Sequence, residues 1–466
     1  MGSAERLYSR LPVWGQNLAV TAYGVSWFLK RFGPGFRTQV EGLKARDRWS
    51  RRDLESWQRH ALLDQLAAAA ERVPFYRERW SGAEKRAALR GDLAALPLLE
   101  KGDLRGEERR FLRADMGNRL GVQTFYTSGS TGTPIATHWT LHELRGAMAL
   151  REVRSAGWAG VSFAEPRATF SGRMVVPEAL SGGPFYRLNR VERQVYFSAF
   201  HLSPSTAPAY VEALRRHGCR WLTGYGVSFY LLARFMLDQG LRPPNLAAVI
   251  TTSEKITEPM RRVMEEAYGC PVFEEYSTVE NISFASACEH GRLHVSPEAG
   301  VLEILRPDGA RCDPGEPGEV VATGLLRRLQ PMIRFRLGDG AAWDPDPCPC
   351  GRPFPVLREV LGRLEDVVEG PDGRRMVRFH GIFIDLPNVL EGQIIQESRT
   401  HLRVKIVASP GFGPEEEEQI RGRVHQRLGA EVRVDVERVD SIPRTSAGKF
   451  RAVVSKIGGE TTGSPV

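Results

Sequence analysis

The sequence predicts an α/β protein in which a large N-terminal domain precedes a smaller α+β domain. Between about 120 and 330, short apolar runs alternate with helical patterns, which is typical of parallel strands covered by helices. Residues 300–345 alternate apolar and polar side chains between Pro/Gly turns, and this pattern predicts a small antiparallel β subdomain. A proline-rich loop at 344–355 then leads to a second region of strands and helices beyond Gly362.

Local patterns predict the elements in chain order. Residues 50–90 are predicted to be helical, because Leu62, Leu66 and Ala70 recur at helical spacing. In the α/β region we expect, in order, a strand at 221–223, a helix at 226–239, a strand at 247–250, a helix at 257–268 and a strand at 271–273. In the C-terminal domain we expect strands at 364–369, 375–380, 402–408 and 432–438, and helices at 385–396 and 414–428.

These patterns divide the chain into four segments. The segments are an N-terminal helical extension (1–50), a large domain (51–362), a C-terminal lid domain (363–458) and a disordered tail (459–466). The tail is rich in Gly, Thr and Ser, which disfavours a packed structure.

Composition excludes several classes of protein. Of the 466 residues, 42% are hydrophobic and 26% are charged, which is ordinary for a globular protein and excludes bulk disorder. The net charge is +8, but no run of Lys or Arg predicts nucleic-acid binding. Six cysteines in a chain of this length argue against a secreted, disulfide-built protein, and no signal peptide is evident, so we expect a cytoplasmic location.

The stretch 11–29 allows two interpretations. It is moderately apolar and contains Trp14 and Tyr23, but Gln16 and Thr21 interrupt it, so it is a poor transmembrane span. One interpretation is a helix packed on the body of the protein, and the other is an interfacial helix in weak peripheral contact with a membrane. The sequence also allows a homodimer.

The most informative stretch is a loop of glycines and hydroxyl residues that follows a short apolar segment. Backbone N–H groups and hydroxyls in such a loop can hold phosphate oxygens. The loop is not a Walker loop, because no Gly-Lys-Ser/Thr sequence ends it. Its phosphate-binding candidates are Thr127, Ser128, Gly129, Ser130, Thr131 and Gly132.

Four further motifs follow this loop. They are Glu-Tyr-Ser-Thr-Val-Glu at 275–280, Arg-Phe-Arg-Leu-Gly-Asp at 334–339, Gly-Arg-Leu-Glu-Asp at 362–366 and Pro-Arg-Thr-Ser-Ala-Gly-Lys-Phe-Arg at 443–451. In this order the five motifs resemble those of the adenylate-forming superfamily of acyl- and aryl-coenzyme A ligases. The phenylacetate–coenzyme A ligase branch, which includes the CapK type, is the more similar one, because it shares the segments 73–77, 96–101 and 348–352.

The resemblance implies a role for each matching position. The loop at 127–132 would hold the β- and γ-phosphates of ATP, and Glu280 would bind Mg²⁺. Lys449 would reach from the lid to the carboxylate and the α-phosphate, and Glu365 stands at the hinge position. The remaining nucleotide-binding positions are Ser253 and Glu254 at the adenine, Tyr276 stacked on it, Ser277 and Thr278 beside it, Asp339 at the ribose hydroxyls and Arg363 at the domain junction.

Two features depart from the family pattern. The family's Tyr-Gly-x-Thr-Glu has Ser277 and Val279 in place of its Gly and Thr, although Thr278 can supply a hydroxyl. No Lys follows Pro134 closely, where the family usually has one.

The implied reaction is ATP-dependent activation of a carboxylic acid to an acyl-adenylate, followed by transfer to coenzyme A. The alternatives are transfer to an amine, a hydroxyl or a carrier protein in polysaccharide or natural-product biosynthesis, and a degenerate nucleotide-binding protein. Aromatic residues after the loop and beside the strand at 221–224 predict a pocket for the acid, and its members are Trp139, Tyr225, Gly226 and Phe229. The sequence does not identify the acid.

Three cysteines and one histidine around the predicted β subdomain form a candidate zinc site. Cys288 and His294 precede it, and the pair Cys348 and Cys350 follows it. Three thiolates and one imidazole suit tetrahedral Zn²⁺ in a structural site, and the branch that the sequence resembles often carries this arrangement. His290 is the alternative fourth ligand, and reduced thiols buried as small apolar groups are the alternative interpretation.

Overall fold

The computed structural model describes residues 3–116, 121–126, 135–171, 175–177, 182–363, 368–371, 375–376, 380–383, 386, 388–444 and 450–457. The predicted phosphate-binding residues 127–132, the hinge residue Glu365, the lid residue Lys449 and the tail 459–466 lie outside these ranges.

Helices dominate the N-terminal quarter. They are α1 (Ser3–Arg10), α2 (Val13–Phe32), α3 (Phe36–Arg46), α4 (Arg51–Arg72), α5 (Pro74–Arg79), α6 (Gly82–Arg90) and the single turn α7 (Lys101–Leu104). The stretch predicted to be helical over 50–90 is divided into α4, α5 and α6. Pro74 has no N–H to continue α4 and instead opens α5. Ser81 and Glu84 form a capping box that starts α6.

A large mixed sheet occupies the middle of the chain. A separate hairpin of β1 (Gln123–Tyr126) and β2 (Ala136–Trp139) precedes it, and α8 (Leu141–Leu150) continues as a π-helix at Arg151–Ala156. The parallel region, together with the antiparallel edge strand β4, contains β3 (Arg167–Ser171), β4 (Tyr186–Asn189), β5 (Gln194–Ser198), α9 (Ala207–Arg216), β6 (Trp221–Tyr225), α10 (Gly226–Asp238), β7 (Ala248–Thr252), α11 (Glu258–Tyr268) and β8 (Val272–Ser277). The antiparallel region contains β9 (Phe284–Ala287), β10 (Leu293–Val295), β11 (Gly300–Leu305), β12 (Pro317–Gly324), β13 (Phe335–Trp343) and β14 (Val356–Arg363).

Among the described residues, β3 to β14 form one continuous sheet in the order β11-β12-β13-β14-β10-β9-β8-β7-β6-β3-β5-β4. Strands β5, β3, β6, β7 and β8 are parallel neighbours, as the α/β pattern predicts. The strands predicted over 300–345 are antiparallel, but they extend this sheet through β9 and β10 instead of forming a sheet of their own.

The C-terminal part has its own sheet. Its elements are β15 (Val368–Glu369), β16 (Arg375–Met376), α12 (His380–Phe383), β17 (Val389–Ser398), β18 (His401–Ala408), α13 (Pro414–Leu428), β19 (Arg433–Arg438) and β20 (Val453–Ser455). The order of the four-stranded sheet is β19-β18-β17-β20, and the predicted helix over 414–428 is α13.

The predicted helix at 385–396 is wrong, because β17 covers most of it. Leu390 and Ile394 stand four residues apart, so the spacing suits a helix, but short apolar runs do not distinguish the two periods. Two strand partners decide the conformation, since β17 pairs antiparallel with β18 and parallel with β20. Gly392 also lies against the ring of Phe383, where an added Cβ would come within 2.5 Å.

Three large apolar clusters hold these layers together. The first packs α4 to α6 on the antiparallel region, and the second packs α9 to α11 on the parallel region. The third lies in the C-terminal part, between α13 and its sheet. None of the described helices combines the length and the apolar character that crossing a membrane requires.

Candidate active site

The carboxyl ends of the parallel strands gather most of the described candidate residues. Tyr225 ends β6, Ser253 follows β7 directly, and Tyr276 and Ser277 end β8. Ligands of open α/β sheets bind at this edge, because the strands end there and the following loops diverge. Ser253 has a left-handed backbone with φ of +69°, which turns the chain sharply after β7.

Tyr276 and Asp339 are in direct contact. The Tyr276 hydroxyl donates a hydrogen bond of 2.8 Å to Asp339 Oδ2, and the Asp339 side chain is buried. Asp339 lies on β13 opposite Arg363 of β14, so the backbone positions of both residues share this corner of the sheet. The sheet thus brings together three of the residues to which the resemblance gives nucleotide-binding roles.

Glu254 links the two parts of the chain. Its Oε2 accepts a hydrogen bond of 2.9 Å from the backbone N–H of Val227, in the first turn of α10. Its Oε1 accepts a second bond of 2.9 Å from the backbone N–H of Phe450, the residue that follows Lys449 in the chain. A carboxylate is well suited to two such donors, because each oxygen accepts separately. The C-terminal part therefore touches the carboxyl edge of the large sheet at this point.

A buried arginine that sequence reasoning missed joins Glu280 to the hairpin of β1 and β2. The guanidinium of Arg327 donates to the carbonyl oxygens of Glu280 (2.7 Å) and His138 (2.6 Å), and it lies 4.0 Å from the ring centre of Trp139. Burial lowers the pKa of Arg327 to about 10, against the opposing effects of Glu143 and Glu280. Arg327 belongs to none of the motifs, so the sequence carries no signal for this role.

Thr278 has a buried hydroxyl for which the described residues provide no hydrogen-bond partner. It lies in the motif that follows β8, between Ser277 and the buried Glu280. A buried hydroxyl costs free energy when it is unpaired, so such an atom fits a ligand oxygen.

The four predicted pocket residues do not form one group in the described contacts. Tyr225 is buried at the end of β6, and Gly226 lies against Ile256, where an added Cβ would come within 2.6 Å. Trp139 is buried in the hairpin, and its indole donates to Thr137 Oγ1. Phe229 is fully buried in the second apolar cluster and packs on Phe170 and Tyr268, the contacts of a core residue.

A second cluster lies on the antiparallel side of the sheet. Cys288 follows β9, His294 is the middle residue of β10, and Cys348 and Cys350 belong to the loop between β13 and β14. The ligand atoms of these four residues all lie within 4.8 Å of one another. Cys288 Sγ is 3.6 Å from Cys348 Sγ, and Cys350 Sγ is 3.3 Å from His294 Nε2.

This cluster has the donor set and the spacing of a structural zinc site. Zn–S bonds of about 2.3 Å in a tetrahedron place two sulfur atoms about 3.8 Å apart, close to the observed separation of the two thiols. The backbone N–H of His290 donates to Cys288 Sγ over 3.4 Å, while His294, and not His290, offers its ring to the cluster. Hydrogen bonding between β10 and both β9 and β14 brings the loops together.

Comparison with known proteins agrees with this architecture. Residues 370–456 match the family model of the CapK C-terminal domain. The chain is 21% identical to protein CapK of Staphylococcus aureus over 97% of its own length and 99% of the relative. It is 25% identical to phenylacetate–coenzyme A ligase of Thermus thermophilus, over 68% of its length and 72% of that enzyme.

A solved structure gives the same result for the fold. The crystal structure of 2-hydroxyisobutyryl-CoA ligase in the postadenylation state, in complex with R3-HIB-AMP, superposes with a TM-score of 0.65. The alignment covers 86% of this chain and 90% of that chain at 22% identity, so it shows the fold. The chain is therefore similar to CapK and to the phenylacetate–coenzyme A ligases over most of its length, and it shares the fold of 2-hydroxyisobutyryl-CoA ligase.

Proposed function

We propose that this protein activates a carboxylic acid with ATP and Mg²⁺ to an acyl-adenylate and then passes the acyl group to coenzyme A. The observation that carries the proposal is the contact between Glu254 and the N–H of Phe450. It joins the residue after Lys449 to the edge where Tyr276 meets Asp339. Relatives named as coenzyme A ligases, and the fold of one with an acyl-AMP bound, support this assignment.

In the first step, a carboxylate oxygen of the acid forms a bond to the α-phosphorus of ATP, and pyrophosphate leaves with the bridging oxygen. The carboxylate and the phosphates repel each other, so the site must supply positive charge. We assign to Lys449 the positive charge that the lid domain would bring to the site for this step. Glu280 would hold the Mg²⁺, which neutralises phosphate charge when bound; its buried carboxylate is the hard oxygen donor that this ion prefers.

The described residues fit the nucleotide in two further respects. The hydrogen bond to Asp339 fixes the orientation of the Tyr276 ring, which suits a residue that stacks on adenine. The Thr278 hydroxyl, which has no partner within the described part of the chain, fits a phosphate oxygen and would compensate for the departure at Ser277 and Val279.

In the second step, the thiol of coenzyme A loses its proton to solvent and its sulfur forms a bond to the acyl carbon. The bond between that carbon and the phosphate oxygen breaks, and AMP leaves with the oxygen. Lys449 is no longer needed, so the segment from 363 to 458 would act as a lid that rotates about Glu365 between the steps. The closed contact at Glu254 and the likeness to a postadenylation-state structure support the conformation of the first step for the lid described here.

The cluster of Cys288, His294, Cys348 and Cys350 would hold one structural Zn²⁺. Closed sites with four protein ligands contribute to folding and leave no open position for substrate. The ion would tie the loop between β13 and β14 to β9 and β10. A cytoplasmic location and a homodimer stay predictions.

The test is a panel of carboxylic acids, each assayed for ATP-dependent pyrophosphate release. One acid should stimulate release, and Lys449→Ala should reduce the rate at least ~10²-fold, the scale of one strong transition-state donor. Lys456→Ala is the matched control, because Lys456 carries the same charge in the same domain but pairs with Glu397 at the surface. Adding coenzyme A, an amine or a carrier protein to the active mixture identifies the acceptor. Absence of release with every acid would favour the degenerate nucleotide-binding protein.

A further inference from the structure

Helix α2 presents an apolar stripe to solvent. Trp14, Leu18, Val25 and Leu29 are 71%, 63%, 43% and 61% exposed. Their spacing of four, seven and four residues places them on one side of the helix, and we name these four residues the α2 stripe. Most surface helices of globular proteins pack their apolar side on the core. The contacts that hold α2 must therefore explain why its apolar stripe faces solvent.

One flank of α2, directly beside the α2 stripe, is anchored in the protein through polar contacts. Asn17 Oδ1 accepts a hydrogen bond of 2.9 Å from the N–H of Leu188, and Thr21 Oγ1 donates one of 3.1 Å to the Leu188 carbonyl. Gly24 lies so close to Asn189 that an added Cβ would come within 2.3 Å of its side chain. Because these contacts hold the helix against β4, α2 cannot roll to bury its apolar stripe.

The surroundings of the stripe are basic. No charged side chain occurs from Val13 to Leu29, whereas Arg10 precedes the helix and Lys30, whose Nζ donates to Gln123 Oε1, follows this span. Strands β4 and β5 form a neighbouring hairpin, and we call residues 190–193 its hairpin tip. The tip adds Arg190 and Arg193, which are both exposed and absent from the ion pairs found among the described residues.

The hairpin tip is fixed beside α2. The N–H of Arg190 donates to Thr21 Oγ1 over 3.3 Å, and Glu192 turns inward, where it pairs with Arg31 and Arg167. The acidic residue of the tip is therefore buried, while its two arginines and Val191 face solvent.

We propose that the α2 stripe and this hairpin tip bind the surface of a membrane that contains anionic lipids. Charge decides between a lipid surface and a second copy of the chain. A two-fold axis through the stripe would bring like-charged basic ends together, whereas anionic headgroups complement them. An uncharged helix face with aromatic and aliphatic side chains and a basic border is typical of helices that lie in the membrane interface. This proposal does not depend on the proposed reaction.

The test is flotation of the full chain with vesicles of phosphatidylcholine and phosphatidylglycerol. We expect the wild type to float with the vesicles. The double variant Trp14→Ser, Leu18→Ser should bind at least ~10-fold less, because each side chain buries a large apolar area in the interface. Leu89→Ser is the matched control, since Leu89 is 56% exposed on α6, and it should bind like the wild type.

The basic border is tested separately. The double variant Arg190→Glu, Arg193→Glu should lose about 10-fold or more in binding, since anionic headgroups attract arginine and repel glutamate. Pure phosphatidylcholine vesicles should bind the wild type less than the mixed vesicles. Unchanged melting temperatures establish that the variants are folded.

Three results would overturn the proposal. The first is that the wild type stays in the bottom fraction and does not float with the vesicles. The second is that the wild type and the variant Trp14→Ser, Leu18→Ser float equally. The third is a wild-type dimer, seen by sedimentation, that the stripe variant converts to a monomer while no vesicle binding occurs. This last result would assign the stripe to a second copy of the chain.

Discussion

Replacing Glu254 by glutamine tests whether the lid contact serves adenylation. The two Glu254 oxygens each accept one backbone N–H, from Val227 and from Phe450, at 2.9 Å. Glutamine keeps the shape but has one carbonyl oxygen, and its NH₂ group faces a donor on the other side. The N–H of Val227 is fixed in the first turn of α10, so we expect the bond to Phe450 to be lost.

The size of the effect follows from this one bond. A hydrogen bond to a charged group contributes about 1.5–3 kcal/mol, which corresponds to a roughly 10-fold to 150-fold change in rate if the bond forms only with the lid closed. The rate of adenylation in a single turnover should fall by this factor. Thioester formation from preformed adenylate should change much less, because the second step uses the other lid orientation.

Glu258→Gln is the matched control for this experiment. Glu258 lies four residues further along the chain, and its exposed carboxylate pairs with Arg262 at the surface. The control should adenylate at the wild-type rate. An equal loss of both steps in Glu254→Gln would refute the reasoning, because the contact would then serve folding alone. No loss in either step would also refute it, because the contact would then have no role in the reaction.

Three further predictions concern the metal cluster and the buried charges. Purified protein should contain about one zinc per chain, and Cys348→Ser should release the metal and lower the melting temperature. The control Cys312→Ser lies outside the cluster and should keep the zinc. A metal-free wild type of normal stability would contradict this prediction. Arg154→Ala should lower the free energy of unfolding in urea by about 3–5 kcal/mol, because it leaves the buried Glu298 carboxylate without its closest partner, while Arg51→Ala at an exposed pair should change it by less than ~1 kcal/mol. Burial raises the pKa of Glu298, but the charges of Arg154 and Arg46 lower it by more, so the pKa lies below its ordinary value of 4.5. The stability that this carboxylate contributes should therefore be complete above pH 4.5 and fall as the pH drops through the lower pKa of the folded protein; a Glu298→Gln variant with the same acid-unfolding profile would refute this assignment.

The sequence by itself determined the α/β class and the positions of helices α10, α11 and α13. The apolar patterns of these helices are long and periodic, so they predict helix without any tertiary contact. It also predicted which residues carry the chemistry, because the five motifs stand in a recognisable order, although Ser277 and Val279 depart from the family pattern. The Cys and His positions were visible as a donor set, although spacing alone left His290 and His294 as alternatives.

Only the tertiary structure decided the conformation of β17, since Ile394 suits either period and strand partners that are distant in the chain select one. The same is true of Arg327, whose position between Glu280 and Trp139 comes from the packing of separate elements. The pairing of β10 with both β9 and β14 is what places His294, which was preferred to His290 on sequence, beside the three thiols. The sequence showed that α2 is apolar but not which way it faces. Hydrogen bonds of Asn17 and Thr21 to β4 decided that, because directional bonds between distant segments are absent from any local pattern.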